Sequence, residues 1–357
     1  MRLAFWRIDL GGRGPGYALQ DILARDRAVL HKAELIAHIA PDVLVLSGLD
    51  HDHDLVALRA FRDVIAEKGH VFTATFAFSS NAGLRTGRDM TGDGRHDTAD
   101  DTQGYGRFRG ERALALLSNF PVDDANARDF SQFLWRDLPG ALLPEDVSGA
   151  VLADEVLALQ RLSSTGHWDV PILIDGQSLH LLIYQAGPPV FGGRGTRNLH
   201  RNHDETAFWT HFLDNRLPMA PPEAPLVVIG GSNLDPFDGD GLHGAMRDLL
   251  AHPALQDPQP QSAGGRLAAH DPPNAAHLGP PELDTVHWPQ RPGPGNLRVS
   301  YILPSSELRV RASGVFWPAT ESAERARLGD PDAPPTRHRL VWVDLDRDSL
   351  RAVGRSN

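Results

Sequence analysis

Apolar runs alternate with amphipathic stretches along the whole chain. Leu3 to Leu10 reads as a short buried strand. Leu30, Leu35, Ile36 and Ile39 recur at helical spacing, and Pro41 stops that helix. Val43-Leu44-Val45-Leu46 is apolar without a break, as expected of a strand covered on both faces. A second helix, about Leu55 to Glu67, feeds an aromatic and β-branched run from Val71 to Phe78 that predicts a strand. Ala113 to Leu117, Val170 to Ile174 and Leu179 to Tyr184 follow as strands. Asp175-Gly176 joins the last two with the composition of a tight hairpin turn, so antiparallel pairing enters here. Beyond it lie a helix (Phe208 to Leu217), a buried strand (Leu226 to Ile229) and another helix (Gly244 to Ala251). Late strands are Leu297 to Leu303, Leu308 to Phe316 and Leu340 to Leu345.

Ten of the 28 prolines fall between Pro253 and Pro294, in a stretch also rich in Gly, His and Ala. Strands resume beyond it without a fresh domain-sized pattern, so residues 253–294 read as a surface excursion within a single domain spanning 1–357. Parallel-type and hairpin elements are interleaved over the whole length. That mixture predicts an α/β fold, a four-layer α/β/β/α sandwich of two mixed β-sheets.

Composition narrows the function. With no cysteine, disulfides, thiolate metal sites and cysteine nucleophiles are all excluded. The 35 basic against 46 acidic residues give a net charge of −11, which argues against a broad grip on nucleic acid. No apolar run approaches the roughly 20 residues that span a bilayer, and the start is interrupted by Arg2, Arg7 and Asp9. The expected address is therefore the cytoplasm, with no membrane partner.

Several ordered motifs carry chemistry. Arg161-Leu162-Ser163-Ser164 and His167-Trp168-Asp169-Val170-Pro171 come first. Asn233-Leu234-Asp235-Pro236 follows the strand at Leu226, and alone it is an Asx-rich turn. Gly295-Asn296-Leu297-Arg298-Val299-Ser300-Tyr301-Ile302-Leu303-Pro304-Ser305 and Thr336-Arg337-His338-Arg339 close the series. In this order, from about Arg2 to about Leu345, the set resembles the endonuclease/exonuclease/phosphatase family. It is most similar to a bacterial branch with Gly-Pro-Gly near the start (Gly14-Pro15-Gly16) and Phe-Leu-Trp-Arg-Asp in the middle (Phe133 to Asp137).

The resemblance implies Mg²⁺-dependent cleavage of phosphate esters, with hard carboxylate oxygens on the metal, cations on the phosphoryl oxygens and a base for water. The positions that would carry this chemistry are mostly changed. The first-strand Asn falls on Arg7, and the Gln-Glu that ends the second strand reads Ser47-Gly48. The Ser-His strand end reads Tyr184-Gln185, and Gly-Asp-x-Asn reads Gly230-Gly231-Ser232-Asn233. The Asp before Tyr-Ile-Leu-Pro-Ser is Ser300, and Ser-Asp-His reads Thr336-Arg337-His338. Asn233 and His338 are thus the retained catalytic positions, while Arg7, Gly48, Gln185, Gly231, Ser300 and Arg337 are substituted.

Arg7 and Arg337 bring cations to where Mg²⁺ would sit, a repulsion of several kcal/mol at a dielectric of about 20, and arginine does not shed its proton. The expectation is a degenerate site without Mg²⁺, in a non-catalytic binding or scaffold protein. The alternative is a divergent phosphoesterase that uses His338 and Asn233 on a small phosphate ester. Arg7 and Arg337, with His338 and Asn233, would form a cationic cup for a phosphate or carboxylate. Alternatively, each arginine pairs with a neighbouring carboxylate and fills the old metal hole. If the framework is kept, restoring carboxylates at 48, 231 and 337 should recreate metal binding. The partner expected is therefore a small anionic ligand or an unidentified protein.

Three further clusters stand apart. Asp89, Thr91, Asp93, Asp97 and Asp100 occupy positions 1, 3, 5, 9 and 12 of a calcium-loop frame, with Gly94 at 6 and Arg95 at 7. Against a Ca²⁺ site, position 12 is Asp rather than Glu and no clear helices flank the loop. Asp50-His51-Asp52-His53-Asp54 reads as a solvated loop rather than a metal site. Arg194, Arg197, His200 and Arg201, beside Asn202-His203-Asp204-Glu205, read as a structural loop packed near the cleft.

Overall fold

In the first sheet, alternate residues of each strand point to opposite layers, and both layers are apolar. Leu3 and Phe5 of β1 (Arg2–Arg7) and Val43 and Val45 of β2 (Val43–Leu49) face the second sheet. Ala4, Trp6, Leu44 and Leu46 of the same strands pack on α1 (Tyr17–Leu23), α2 (Arg27–Ile39) and α3 (Val56–Glu67). That double burial explains the unbroken apolar run at Val43. The computed structural model describes residues 1–144, 152–192, 196–223, 225–289, 293–329 and 336–353.

The first sheet also holds β3 (Ala74–Phe76), β4 (Ala113–Ser118), β10 (Val310–Val315) and β11 (Val341–Leu345), in the order β10-β11-β1-β2-β4-β3. The second runs β5-β6-β7-β8-β9: β5 (Arg128–Asp129), β6 (Gly166–Ile174), β7 (Gln177–Gln185), β8 (Leu226–Gly231) and β9 (Ser300–Pro304). Val170, Leu181, Ile183, Val227, Ile229 and Ile302 meet the first sheet in the shared core. Leu182, Tyr184, Val228 and Tyr301 face outward onto α5 (Arg197–Leu213) and α6 (Gly244–Leu250). Helices α4 (Asp154–Leu157), α7 (Ala263–Ala268) and α8 (Arg347–Val353) are peripheral. The expected four-layer α/β/β/α sandwich is observed, and β6 and β7 form the hairpin turned at Asp175-Gly176. Among the described residues no helix is long and apolar enough to cross a membrane.

Three local expectations change. β3 is confined to Ala74–Phe76 because Val71 is exposed at a sheet edge. α5 begins at Arg197, so Arg197 through Glu205 is helix rather than loop; Arg194 lies outside the described residues. The proline-rich excursion is tied into the body, with Leu255, Leu283 and Val286 buried.

Candidate functional site at the end of the sandwich

Strand register gathers most of the sequence-predicted positions. Gln185 of β7, Gly231 of β8 and Ser300 of β9 stand side by side. On the other sheet Arg7 pairs with Ser47, one residue before Gly48. β1 lies against β8 and β9, and β2 against β8, so both sets share one end of the sandwich. Thr336 closes the group, donating from Oγ1 to the Arg7 carbonyl at 3.1 Å and to Asp9 Oδ2 at 2.9 Å.

Gly48 has φ of +89°, in a β-bulge between Ser47 and Leu49, and a Cβ there would lie 3.0 Å from the Asp9 backbone nitrogen. A side chain at 48 is thus strained twice, by backbone conformation and by space. Gly231 leaves room for its neighbour: a Cβ would strike Gln185 Oε1. Gln185 in turn donates Nε2 to the Ala186 carbonyl at 2.9 Å. Ser300 is buried, its N–H donating to Thr285 Oγ1 at 3.1 Å. Asn233 takes a left-handed φ of +51° and donates Nδ2 to the Ala186 carbonyl at 2.7 Å. Arg7 pairs with Asp9 at 3.4 Å, which offsets its charge.

A strap from the proline-rich excursion covers His338. Val286 bridges both Leu297 and His338; the His287 N–H donates to the Arg337 carbonyl and the Arg339 N–H to the Thr285 carbonyl. The Trp288 ring stands edge-on to the His338 ring at 5.7 Å. His338 is 7% exposed, its Nδ1 has no hydrogen-bond partner, and burial beside the Arg7 cation pushes its pKa down to about 3. It is a neutral packing residue across the physiological range.

The sequence model of the Endonuclease/Exonuclease/phosphatase family matches residues 13–338. The chain belongs to this family. Among solved structures it is similar to an endonuclease/exonuclease/phosphatase family protein from Leptotrichia buccalis C-1013-b, at 12% identity and TM-score 0.52, over 97% of this chain and 99% of that one. An endonuclease/exonuclease/phosphatase from Beutenbergia cavernae DSM 12333 gives 15% identity and TM-score 0.53, over 97% and 71%. The corresponding protein from Bacteroides vulgatus gives 12% and 0.51, over 97% and 98%. At these identities the likeness speaks for the fold. A search of curated proteins finds no match.

The residues present do not fit the Mg²⁺ that the family implies. Gly48, Gly231 and Ser300 supply no carboxylate, and among the described residues no group of three or more His, Asp or Glu is arranged to hold a metal ion. The framework around the site is nevertheless tightly tied. Asn202 on α5 donates Nδ2 to the carbonyls of Gly187 and Ser232 at 2.7 Å each. Glu205 accepts from the Ser164 and Gly187 N–H groups, and Asp204 from Trp135 Nε1 at 2.7 Å. These long-range bonds give the 202–205 string its structural role. His167 sits in the same layer, bonded to Ser163 Oγ at 2.6 Å and to the Glu205 carbonyl, with burial pushing its pKa down to about 4.

The two other candidates lie outside this group. In the 89–100 loop, Asp89 accepts N–H bonds from Thr91, Gly92 and Gly94, and Asp93 accepts one from Arg95. Asp97 pairs with Arg85 at 3.3 Å, and Asp100 is exposed. The loop is therefore organised by its own backbone donors and by Arg85. In the 50–54 run, Asp52 caps α3 through the N–H groups of Val56 and Ala57, while buried Asp50 holds those of Gly12 and Arg112. Only His53 and Asp54 are fully solvated. Sequence motifs did not flag Asp9, Thr285 or Trp288; Asp9 meets Thr336 across 327 positions, and Thr285 and Trp288 act on Ser300 and His338 from a separate segment.

Proposed function

We propose that this family member has lost metal-assisted phosphoester cleavage and works as a non-catalytic binding or scaffold protein for a small anion or a partner protein. The observation that carries the reading is Gly48. Where family chemistry needs a metal-binding carboxylate, the backbone has taken a left-handed turn against Asp9 that no longer accommodates a side chain. The strap over His338 supports the same conclusion, because a general base needs contact with solvent or substrate and a proton affinity near neutral pH. Hydrolysis of a small phosphate ester by His338 and Asn233 is the rival reading, and both of those groups are engaged in packing or backbone bonds.

The test is direct. Purified protein with millimolar Mg²⁺ or Mn²⁺ should release no product from DNA or from nitrophenyl phosphate esters. Turnover that disappears with a chelator and with His338→Ala would overturn the proposal.

A further inference from the structure

We infer that the chain binds a small aromatic carboxylate bearing a hydroxyl, in an open pocket of about 240 Å³ on the His287 side of the strap. None of the substituted family positions lines this pocket, so the site does not depend on whether they retain turnover. Its walls are α7, the strap and the segment that follows β10. The proline-rich excursion, which covers His338, therefore also builds most of a second concavity. Successive side chains of an extended segment point to opposite faces. With the Trp288 ring against His338, the His287 ring turns toward the pocket and stands 5.1 Å from the ring of Trp317.

Three features define what the pocket takes. The first is an oriented acceptor. His287 Nε2–H donates to Asp271 Oδ2 at 3.1 Å, which fixes the tautomer and leaves Nδ1 as a lone-pair acceptor without a protein partner among the described residues. Burial lowers the His287 pKa, so the ring is neutral at physiological pH. The second is a cation, Arg325, on the 3₁₀ helix Ala323–Leu328. One planar guanidinium matches one carboxylate through two parallel hydrogen bonds. The third is an apolar lining, made by Leu267, Pro289, Trp317 and Pro318. Trp317 is fixed in place: its carbonyl accepts from the Gly264 N–H at 2.8 Å, and the Arg339 guanidinium stands over its ring at 4.8 Å. The two prolines hold their backbone, so little order is lost on binding. Apolar walls with a single acceptor and a single cation suit a ring carrying one hydroxyl and one carboxylate. A bare phosphoryl group has no apolar body for this lining to desolvate.

Calorimetric titration of the full chain with para-hydroxybenzoate, benzoate and phenol tests this. The hydroxybenzoate should bind. Benzoate, lacking the hydroxyl, should bind about fivefold more weakly, and phenol, lacking the charge, about tenfold more weakly or worse. Arg325→Gln should weaken the hydroxybenzoate by about tenfold or more and leave phenol unchanged. His287→Phe keeps a ring beside Trp317 and should abolish the preference for the hydroxyl. No binding of the hydroxybenzoate by the natural chain overturns the site, as does binding that Arg325→Gln leaves intact. A preference for the hydroxyl that survives His287→Phe overturns the assigned acceptor. Arg325 is only half-buried at the pocket wall, so its replacement remains decisive even if His287→Phe disturbs the strap.

Discussion

At one edge of this end, Gly48 packs against Asp9 and Gly231 against Gln185, and the Thr285–Trp288 strap meets Ser300 and His338. At the other, Arg161 is held by the buried Asn81 amide and Arg109 is exposed. Both lie near the same end of the two sheets, yet one is packed shut and the other carries charge at its surface. The comparison teaches that one part of a sandwich end can be closed by packing while its neighbour keeps polar side chains ordered at the surface. A returning strap covers His338, while the buried Asn81 amide holds Arg161 in place.

The sealed edge is most sharply broken at Gly48. Gly48→Glu should destabilise the fold by about 3 kcal/mol, from left-handed strain of about 1–3 kcal/mol and overpacking of a similar size. Urea denaturation measures this. A change below about 0.5 kcal/mol would mean that the bulge relaxes, and that restoring Gly48→Glu, Gly231→Asp, Arg337→Asp and Arg7→Asn together could rebuild a metal site. The present geometry instead predicts that the combined variant binds no Mg²⁺ by calorimetry.

The pH dependence should show two opposed slopes. His338 and His167 take up protons only near pH 3 and pH 4 when folded, against 6.5 when unfolded. The unfolded chain therefore binds more protons between these limits, and stability falls as pH drops from about 6.5, by a few kcal/mol in all. Asp284, on the strap, runs the other way. Burial, with Asp235, Asp238 and Glu282 nearby, pushes its pKa up to about 8 from 3.8. The folded state then binds the extra proton, and its stability is lost as pH rises from about 4 to 8. Asp284→Asn should remove that loss and raise stability at pH 8.5 by on the order of 2 kcal/mol. An unchanged thermal profile across pH 6–9 in the variant would show that Asp284 does not load the strap.

Trp288→Ala probes the strap with a smaller effect, a destabilisation of about 1–2 kcal/mol. By NMR titration the His338 pKa should rise from about 3 toward 6.5 as water reaches the ring. A His338 that titrates near 6.5 in the natural chain would show that this edge is already open. The smallest effect concerns calcium. Because Asp89 is engaged by backbone N–H groups, millimolar Ca²⁺ should leave the melting temperature unchanged. A rise abolished by Asp93→Ala would show instead that the loop reorganises around the ion.

The alternation of apolar residues was enough to place nearly every strand and the two-sheet architecture, because burial on both faces leaves an unbroken apolar run that needs no partner to be read. The ordered motifs from Arg161 to Arg339 were enough for the family, while strand register set Gln185, Gly231 and Ser300 side by side. Other features depended on partners distant in sequence. Arg197 to Glu205 looked like a loop because its polar residues, which face carbonyls and N–H groups of other segments, mask the helical period. Gly48 read as a missing carboxylate; only its φ and the approach of the Asp9 backbone show that a side chain there would be strained. Val286 meets His338 and Asn81 meets Arg161 across 52 and 80 positions. Local pattern carries no signal for such encounters, since it is the packing of the two sheets that sets which loops converge, which charges find a carboxylate and which are left without one.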